Sequence, residues 1–157
     1  MQHRIGACDL GKATASFAVA QINDNGKITL EDIQTIQHNG KVVDVFQSWY
    51  QEQKIDQCQG LTATGVYTER LKSPVVILPE DNCQEAQLES PLGGQEAFPD
   101  AMSLVSVGAS GYRVLSRTLS KADGKRKHYL YQFIENDKCS SGTGENLQKL
   151  VNRFGFI

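Results

Sequence analysis

A chain of 157 residues, with 39% hydrophobic and 22% charged side chains, has the composition of a globular domain or of one lobe of a larger protein. Its formal net charge of −2 provides no electrostatic footprint for nucleic acid or for an anionic membrane. No apolar run approaches the length of a membrane span, and no apolar signal region precedes the first strand pattern. We therefore expect a cytoplasmic protein that binds neither nucleic acid nor membranes.

The cysteines are widely spaced and include no Cys-x-x-Cys pair, which argues against a self-contained zinc site or a disulfide framework. They are Cys8, Cys58, Cys83 and Cys139. A metal bound by one of them would need ligands from another chain or from sequence outside this one.

The first half of the chain has the pattern of antiparallel hairpins followed by a helix. Strands are predicted at 4–8 and 16–22, and Asn25-Gly26 turns the chain into a third strand at 27–30. A helical period then begins, and it places Phe46 and Trp49 on the buried side. The remaining predictions are a helix at 42–53, a strand at 60–65, a short strand at 75–78, a short helix at 82–88, a loop at 90–100, strands at 103–107, 112–115 and 129–134, and a C-terminal helix.

Two predicted strands end in residues suited to a phosphate ligand. Asp9-Leu10-Gly11 ends the first strand, and Thr64-Gly65 ends the fourth. Ligands of mixed sheets gather at the carboxyl ends of the central strands, where these residues would meet. The carboxylate suits a metal–phosphate complex, and the glycine lets backbone N–H groups reach phosphate oxygens. A polar hairpin turn without a ligand is the alternative interpretation.

Cys139 lies in the glycine-rich loop 136–144, immediately before a helical pattern. The stripe of that helix consists of Leu147, Leu150, Val151 and Phe154. A sulfur at this place would feel the positive end of the helix dipole, which favours the thiolate form that binds metals. An ordinary loop thiol is the other interpretation.

Four blocks of sequence carry a family resemblance, at 5–11, 62–67, 105–114 and 136–144. In this order they resemble the first phosphate motif, the strand-to-glycine turn, the second phosphate motif and the cluster-binding signature of one ATPase family. This family comprises the ATPase activators of 2-hydroxyacyl-CoA dehydratases and the ATPase subunits of benzoyl-CoA reductase. The resemblance extends over most of this chain but over only the first half of a typical member.

The resemblance implies an α/β fold: a ribonuclease-H-like lobe of the actin/Hsp70/sugar-kinase superfamily, with a mixed sheet and flanking helices. Residues 1–157 would be the N-terminal lobe of a longer protein. ATP and magnesium would be bound by Asp9, Gly11, Lys12, Thr64, Gly65 and Gly108. Cys139 would bind a [4Fe-4S] cluster shared by the two subunits of a homodimer, which would pass an electron to a CoA-ester dehydratase or reductase.

Both phosphate motifs depart from the family pattern. Lys12 directly follows Gly11 in the first motif, and it can still pair with a phosphate. In the second motif Ser106 and Gly111 replace the family's carboxylates, and serine does not supply a carboxylate's charge near magnesium. We therefore expect this chain to bind ATP weakly and to hydrolyse it negligibly.

Three functions remain open from the sequence. The Cys139 loop favours an electron-transferring ATPase activator, since a scaffold has no physical need for it. The altered block at 106–113 favours an actin-fold regulatory or scaffold subunit without ATP turnover. A small-molecule kinase of the same superfamily is the third possibility, but no further catalytic carboxylate is evident.

Overall fold

The computed structural model of this protein describes residues 2–89, 98–108, 111–123, 126–136, 151 and 153–154. The chain divides into two compact units, Met1–Glu96 and Ala97–Ile157.

The first unit is built on five strands: β1 (Gln2–Leu10), β2 (Thr14–Asn23), β3 (Ile28–Gln37), β4 (Gly60–Thr64) and β5 (Val76–Ile77). They form one mixed sheet in the order β3-β2-β1-β4-β5. The middle strand, β1, pairs antiparallel with β2 and parallel with β4. The predicted hairpins and central strands are confirmed. The third strand is longer than predicted because β3 is mostly exposed and therefore lacks a sustained apolar pattern.

Helix α1 (Val42–Glu52) covers one face of this sheet. Its residues Phe46 and Trp49 are buried as predicted, with 3% and 1% of their surface exposed. The ring of Trp49 stacks on Phe17 of β2, with ring centroids 4.7 Å apart. The core that α1 and the sheet enclose consists of Cys8, Leu10, Ala15, Phe17, Val19, Val42, Phe46, Trp49, Ile55, Leu61 and Ala63.

The second helix of this unit, α2 (Glu80–Glu89), follows β5 and confirms the short helix predicted at 82–88. It begins with Glu80 and Asp81, whose negative charges favour a helix N-terminus. Across the part of the chain that the structure describes, no helix is both long and apolar enough to span a bilayer.

The second unit contains β6 (Met102–Gly108), β7 (Gly111–Asp123) and β8 (Arg126–Glu135). These strands form an antiparallel sheet in the order β6-β7-β8, which confirms the three strands predicted here. Val151, Arg153 and Phe154 are helical. The rest of the predicted C-terminal helix, the Cys139 loop and most of the predicted loop at 90–100 lie outside the described residues.

Candidate phosphate-binding site

The candidate site begins where two parallel neighbours, β1 and β4, end at the same edge of the first sheet. Asp9 of β1 lies opposite Thr64 of β4 in the pairing. The next residue, Gly65, has a φ of +97°, and a Cβ there would lie 2.6 Å from Asp9 Oδ1. It would also lie 2.6 Å from the carbonyl oxygen of Leu10. Only glycine lets the chain leave β4 this close to the carboxylate of Asp9.

The turn between β1 and β2 forms the second part of the site. It contains Gly11 and Lys12, and Lys12 is exposed. The turn is tight, since a Cβ at Gly11 would lie 3.1 Å from the carbonyl oxygen of Thr14. The N–H of Tyr67 donates a hydrogen bond of 3.2 Å to the carbonyl oxygen of Leu10. The loop after β4 is thereby connected to the end of β1.

His38 is a residue of this edge that sequence reasoning missed. It is 3% exposed, and its Nε2 lies 3.0 Å from the carbonyl oxygen of Gly11. Its Nδ1 lies 3.1 Å from the N–H of Gly40. The sequence signal was His38-Asn39-Gly40, a histidine at the start of a turn. Asn39 and Gly40 have φ of 48° and 85°, as two-residue turns with both central residues in the left-handed region require.

A pocket of about 330 Å³ opens beside Asp9. On β1, β2 and β4, six of its lining residues alternate with core residues, so it lies on the sheet face opposite α1. The lining consists of Ala7, Cys8, Asp9, Ser16, Phe17, Ala18, Ile33, Gln34, Thr35, Thr62, Ala63, Thr64, Leu78 and Cys83. Its surface is mainly apolar, and Asp9 is its only acidic residue among those described.

The carboxylates near Cys83 make the electrostatic field at its sulfur negative. Burial raises the pKa of the Cys83 thiol, and the charges of Asp9, Glu80 and Asp81 raise it further. Burial likewise raises the pKa of Cys8 to about 12, with a smaller contribution from Asp9. A field of this sign favours a cation, or an anion that carries a cation with it.

The structure brings Asp9, Gly11, Lys12, Thr64 and Gly65 to one edge of the first sheet. Gly108 belongs to the second unit, where it ends β6 and pairs with Gly111. Cys139 lies outside the described residues. Within the ranges that the structure describes, there is no group of three or more His, Cys, Asp or Glu residues that could hold a metal ion.

Ser106, the candidate replacement for a carboxylate, is half-buried on β6 and lies opposite Arg113 of β7. Arg113 pairs with Glu135 of β8 through an ion pair of 2.7 Å. Glu135, the acidic side chain beside Ser106 and Arg113 in this row, therefore already has a guanidinium partner.

No protein-family model matches the chain, and no curated protein sequence matches it either. Solved structures do match. The activator of 2-hydroxyisocaproyl-CoA dehydratase from Clostridium difficile, with bound ADPNP, aligns with 99% of this chain and 53% of its own, at 17% identity and a TM-score of 0.60. An exopolyphosphatase from Cytophaga hutchinsonii aligns with 96% of this chain and 53% of its own, at 12% identity and a TM-score of 0.57.

A Ppx/GppA family member from Aquifex aeolicus aligns with 87% of this chain and 52% of its own, at 12% identity and a TM-score of 0.55. This chain thus spans about half the length of these three solved structures. At these identities the similarity shows the fold. The chain has an actin-like mixed α/β fold, and its five-stranded sheet is that of a ribonuclease-H-like lobe.

Proposed function

We propose that this chain is the part of an actin-like ATPase that binds the phosphates of magnesium–ATP at the carboxyl edge of the first sheet. The observation that supports this most strongly is the close approach of Gly65 to Asp9. Any residue other than glycine would be strained at this left-handed φ, and its Cβ would clash with the carboxylate. Because residue 65 is glycine, the chain can leave β4 directly beside Asp9 at the end of the parallel pair.

The donor set fits the proposed ligand. The carboxylate of Asp9 is a hard oxygen ligand of the type that Mg²⁺ prefers. The ammonium group of Lys12 can pair with a phosphate oxygen, and the backbone N–H groups of the Gly11 turn can donate to others. Magnesium, when bound, neutralises phosphate charge, and Thr64 offers a hydroxyl beside Asp9.

The negative field makes the proposal specific. Asp9, Glu80 and Asp81 would repel a bare nucleotide and attract a divalent cation. Binding of ATP should therefore depend on magnesium. Polyphosphate is a second ligand to test, because it has the same phosphoanhydride chain and one similar structure is named as an exopolyphosphatase.

Calorimetry with ATP or polyphosphate, in magnesium or in EDTA, tests this proposal. We expect weak binding of ATP with magnesium, a loss of binding in EDTA, and a reduction of at least about tenfold for Asp9→Asn. Asp44→Asn is the matched control, because Asp44 is exposed on α1 and its loss changes the net charge equally. Equal effects of the two substitutions, or unchanged binding in EDTA, would contradict the proposal.

The alternative function is a regulatory or scaffold role without ATP turnover. Features of the second unit favour it. Its Ser106 replaces a carboxylate, and the neighbouring Glu135 is paired with Arg113. A phosphate-release assay with magnesium should therefore detect negligible hydrolysis by this chain. Steady turnover that Asp9→Asn abolishes would argue against the scaffold alternative.

For the whole protein we propose the role of an electron-transferring activator, because the Cys139 loop resembles the cluster-binding signature of that family. It would be a homodimer with one [4Fe-4S] cluster, which passes an electron to a CoA-ester dehydratase or reductase. A [4Fe-4S] cluster takes four thiolates, and two copies of this chain offer only one suitably placed cysteine each, Cys139, so they alone should retain no iron. Cys8, Cys58 and Cys83 are free thiols, which agrees with the proposed cytoplasmic location.

Anaerobic reconstitution of the whole protein, with Cys139→Ala and Cys58→Ala as a matched pair, tests the cluster. Iron content and the visible spectrum should be lost in the first variant and kept in the second. An unchanged spectrum in Cys139→Ala would rule out this ligand.

A further inference from the structure

His38 connects three segments at the carboxyl edge of the first sheet. Its ring contacts the carbonyl oxygen of Gly11, and its backbone N–H donates to the carbonyl oxygen of Ala13 at 3.3 Å. It also contacts its own turn through Gly40. Its ring lies nearly perpendicular to the ring of Tyr67, with centroids 5.8 Å apart.

The hydrogen bonds identify the tautomer of this buried imidazole. The group opposite Nδ1 is the N–H of Gly40, a donor, so Nδ1 must be the acceptor and carries no proton. The proton of the neutral ring is then on Nε2. Its partner, the carbonyl oxygen of Gly11, is an acceptor only, which agrees with this assignment. Both ring nitrogens are therefore satisfied, and their roles cannot be exchanged.

The bond to Gly11 fixes the direction of a backbone donor in the turn. No cis peptide bond occurs in the part of the chain that the structure describes. A trans peptide directs its N–H opposite to its C=O. Because the Gly11 carbonyl points at His38, the N–H of Lys12 in the same peptide points away from His38. This N–H is therefore directed away from the buried imidazole.

We propose that His38 is a positioning residue of the phosphate-binding turn. It holds the Gly11–Lys12 peptide in the orientation that presents the Lys12 N–H to a phosphate oxygen. This inference rests on the proposed function. His38 acts through the turn and does not touch the ligand. Tyr67, with Arg70 4.2 Å from its ring centroid, packs against His38, and its backbone N–H connects the second loop of the site to Leu10.

Two substitutions separate the two ring nitrogens. The amide oxygen of asparagine can take the place of Nδ1, and the amide nitrogen of glutamine can take the place of Nε2. His38→Asn thus keeps the bond to Gly40 and loses the donor to Gly11. His38→Gln keeps the donor and loses the acceptor. Each variant loses one hydrogen bond, so their melting temperatures should fall by similar amounts.

The readouts are ATP affinity in magnesium and the rate of native-state trypsin cleavage after Lys12. We expect His38→Asn to weaken binding by about tenfold and to speed this cleavage by a similar factor, as the loss of one ordinary hydrogen bond implies. His38→Gln should stay within about threefold of the wild type in both. His3→Asn is the matched control, since His3 is exposed at the other end of β1 and should change neither.

The positioning role is overturned if Asn and Gln at residue 38 give the same affinity and the same cleavage rate, because a merely structural histidine would not distinguish them. The cleavage assay also works without a nucleotide. If the wild type binds no phosphate ligand but cleavage after Lys12 rises in His38→Asn alone, the proposed function fails and the fixing of the turn by His38 stands.

Discussion

Both units contain three consecutive antiparallel strands, but α1 covers one face of the first sheet, whereas among the described residues one face of the second sheet is exposed. At the end of the first hairpin, Leu10 pairs with Ala15, and both are 0% exposed. At the same place in the second hairpin, Val107 pairs with Tyr112, and these are 48% and 44% exposed. The two hairpins therefore share their pairing but differ in burial.

The covering helix explains the difference. In the first unit α1 places Trp49 against Phe17 and completes the core. The corresponding face of the second sheet remains exposed, with Val105 at 59% and Ile134 at 51%. Strand order and register alone do not make a core; the apolar face must be covered by another element.

The end of β1 and the end of β6 also differ in their chemistry. Asp9 ends a strand that has a parallel neighbour, β4, and Gly65 of that neighbour closes around it. Ser106 lies near the end of β6, whose only strand partner within the described residues is β7. The candidate site thus depends on the parallel pair, which the second sheet does not form among these residues.

The sharpest test of this comparison removes one apolar side chain from each sheet. Phe46→Ala should lower the free energy of unfolding by about 3–5 kcal/mol, because it leaves a cavity under α1. Val107→Ala should cost no more than about 0.5 kcal/mol, since its side chain is half exposed. Urea titration followed by the fluorescence of Trp49 and by circular dichroism measures both. Similar losses would mean that the second face is covered in solution.

The next test compares two glycines at strand ends. Gly65→Ala should cost at least about 2 kcal/mol, because it combines a left-handed φ with a clash against Asp9 and Leu10. Gly108→Ala should cost about 0.5 kcal/mol or less, since a Cβ there meets nothing within 4 Å. Gly26→Ala separates the two causes, because Gly26 has a φ of +75° in open space. A Gly65 variant as stable as the Gly26 variant would remove the argument for close packing at Asp9.

Local periodicity predicted the strands, α1 and the burial of Phe46 and Trp49, because each of these patterns lies within a single element. The carboxyl-end rule also predicted that Asp9 and Thr64 would meet. The role of His38 could not be predicted in this way. Its ring bonds to Gly11, 27 residues earlier, and this contact depends on the pairing of β2 with β3. The exposure of Val107 likewise depends on what covers its sheet, which periodicity does not reveal.

Alkaline pH should destabilise the first sheet through Cys8. Its pKa rises from the ordinary thiol range to about 12 in the folded chain, so the folded state keeps a proton that the unfolded state loses above pH 9. Stability is complete below pH 9 and falls as pH rises toward 12, by about 1 kcal/mol between pH 9 and pH 10. Cys8→Ala should remove this slope in urea titrations. Val105→Cys places a thiol on the exposed face of the second sheet and should add none.

The smallest expected difference concerns one ion pair in each unit. Arg4 and Glu31 join β1 to β3 at 2.6 Å and are 29% and 27% exposed, whereas Lys127 and Asp100 meet at 2.7 Å and are 51% and 38% exposed. The hydrogen bond from Arg4 lowers the pKa of Glu31, so this pair stabilises the fold above the ordinary pKa of glutamate and loses its contribution as pH falls below it.

Glu31→Gln should therefore cost about 0.5 kcal/mol at pH 7, and this cost should shrink at pH 3 and in 1 M salt. Asp100→Asn should have a smaller effect, because hydrogen bonds from Lys127 and Tyr129 lower the pKa of Asp100 at a more exposed site. Urea titrations at pH 7 and pH 3 measure both. A larger loss for Asp100→Asn would reverse the ranking and show that the second sheet relies on its polar edge more than the first.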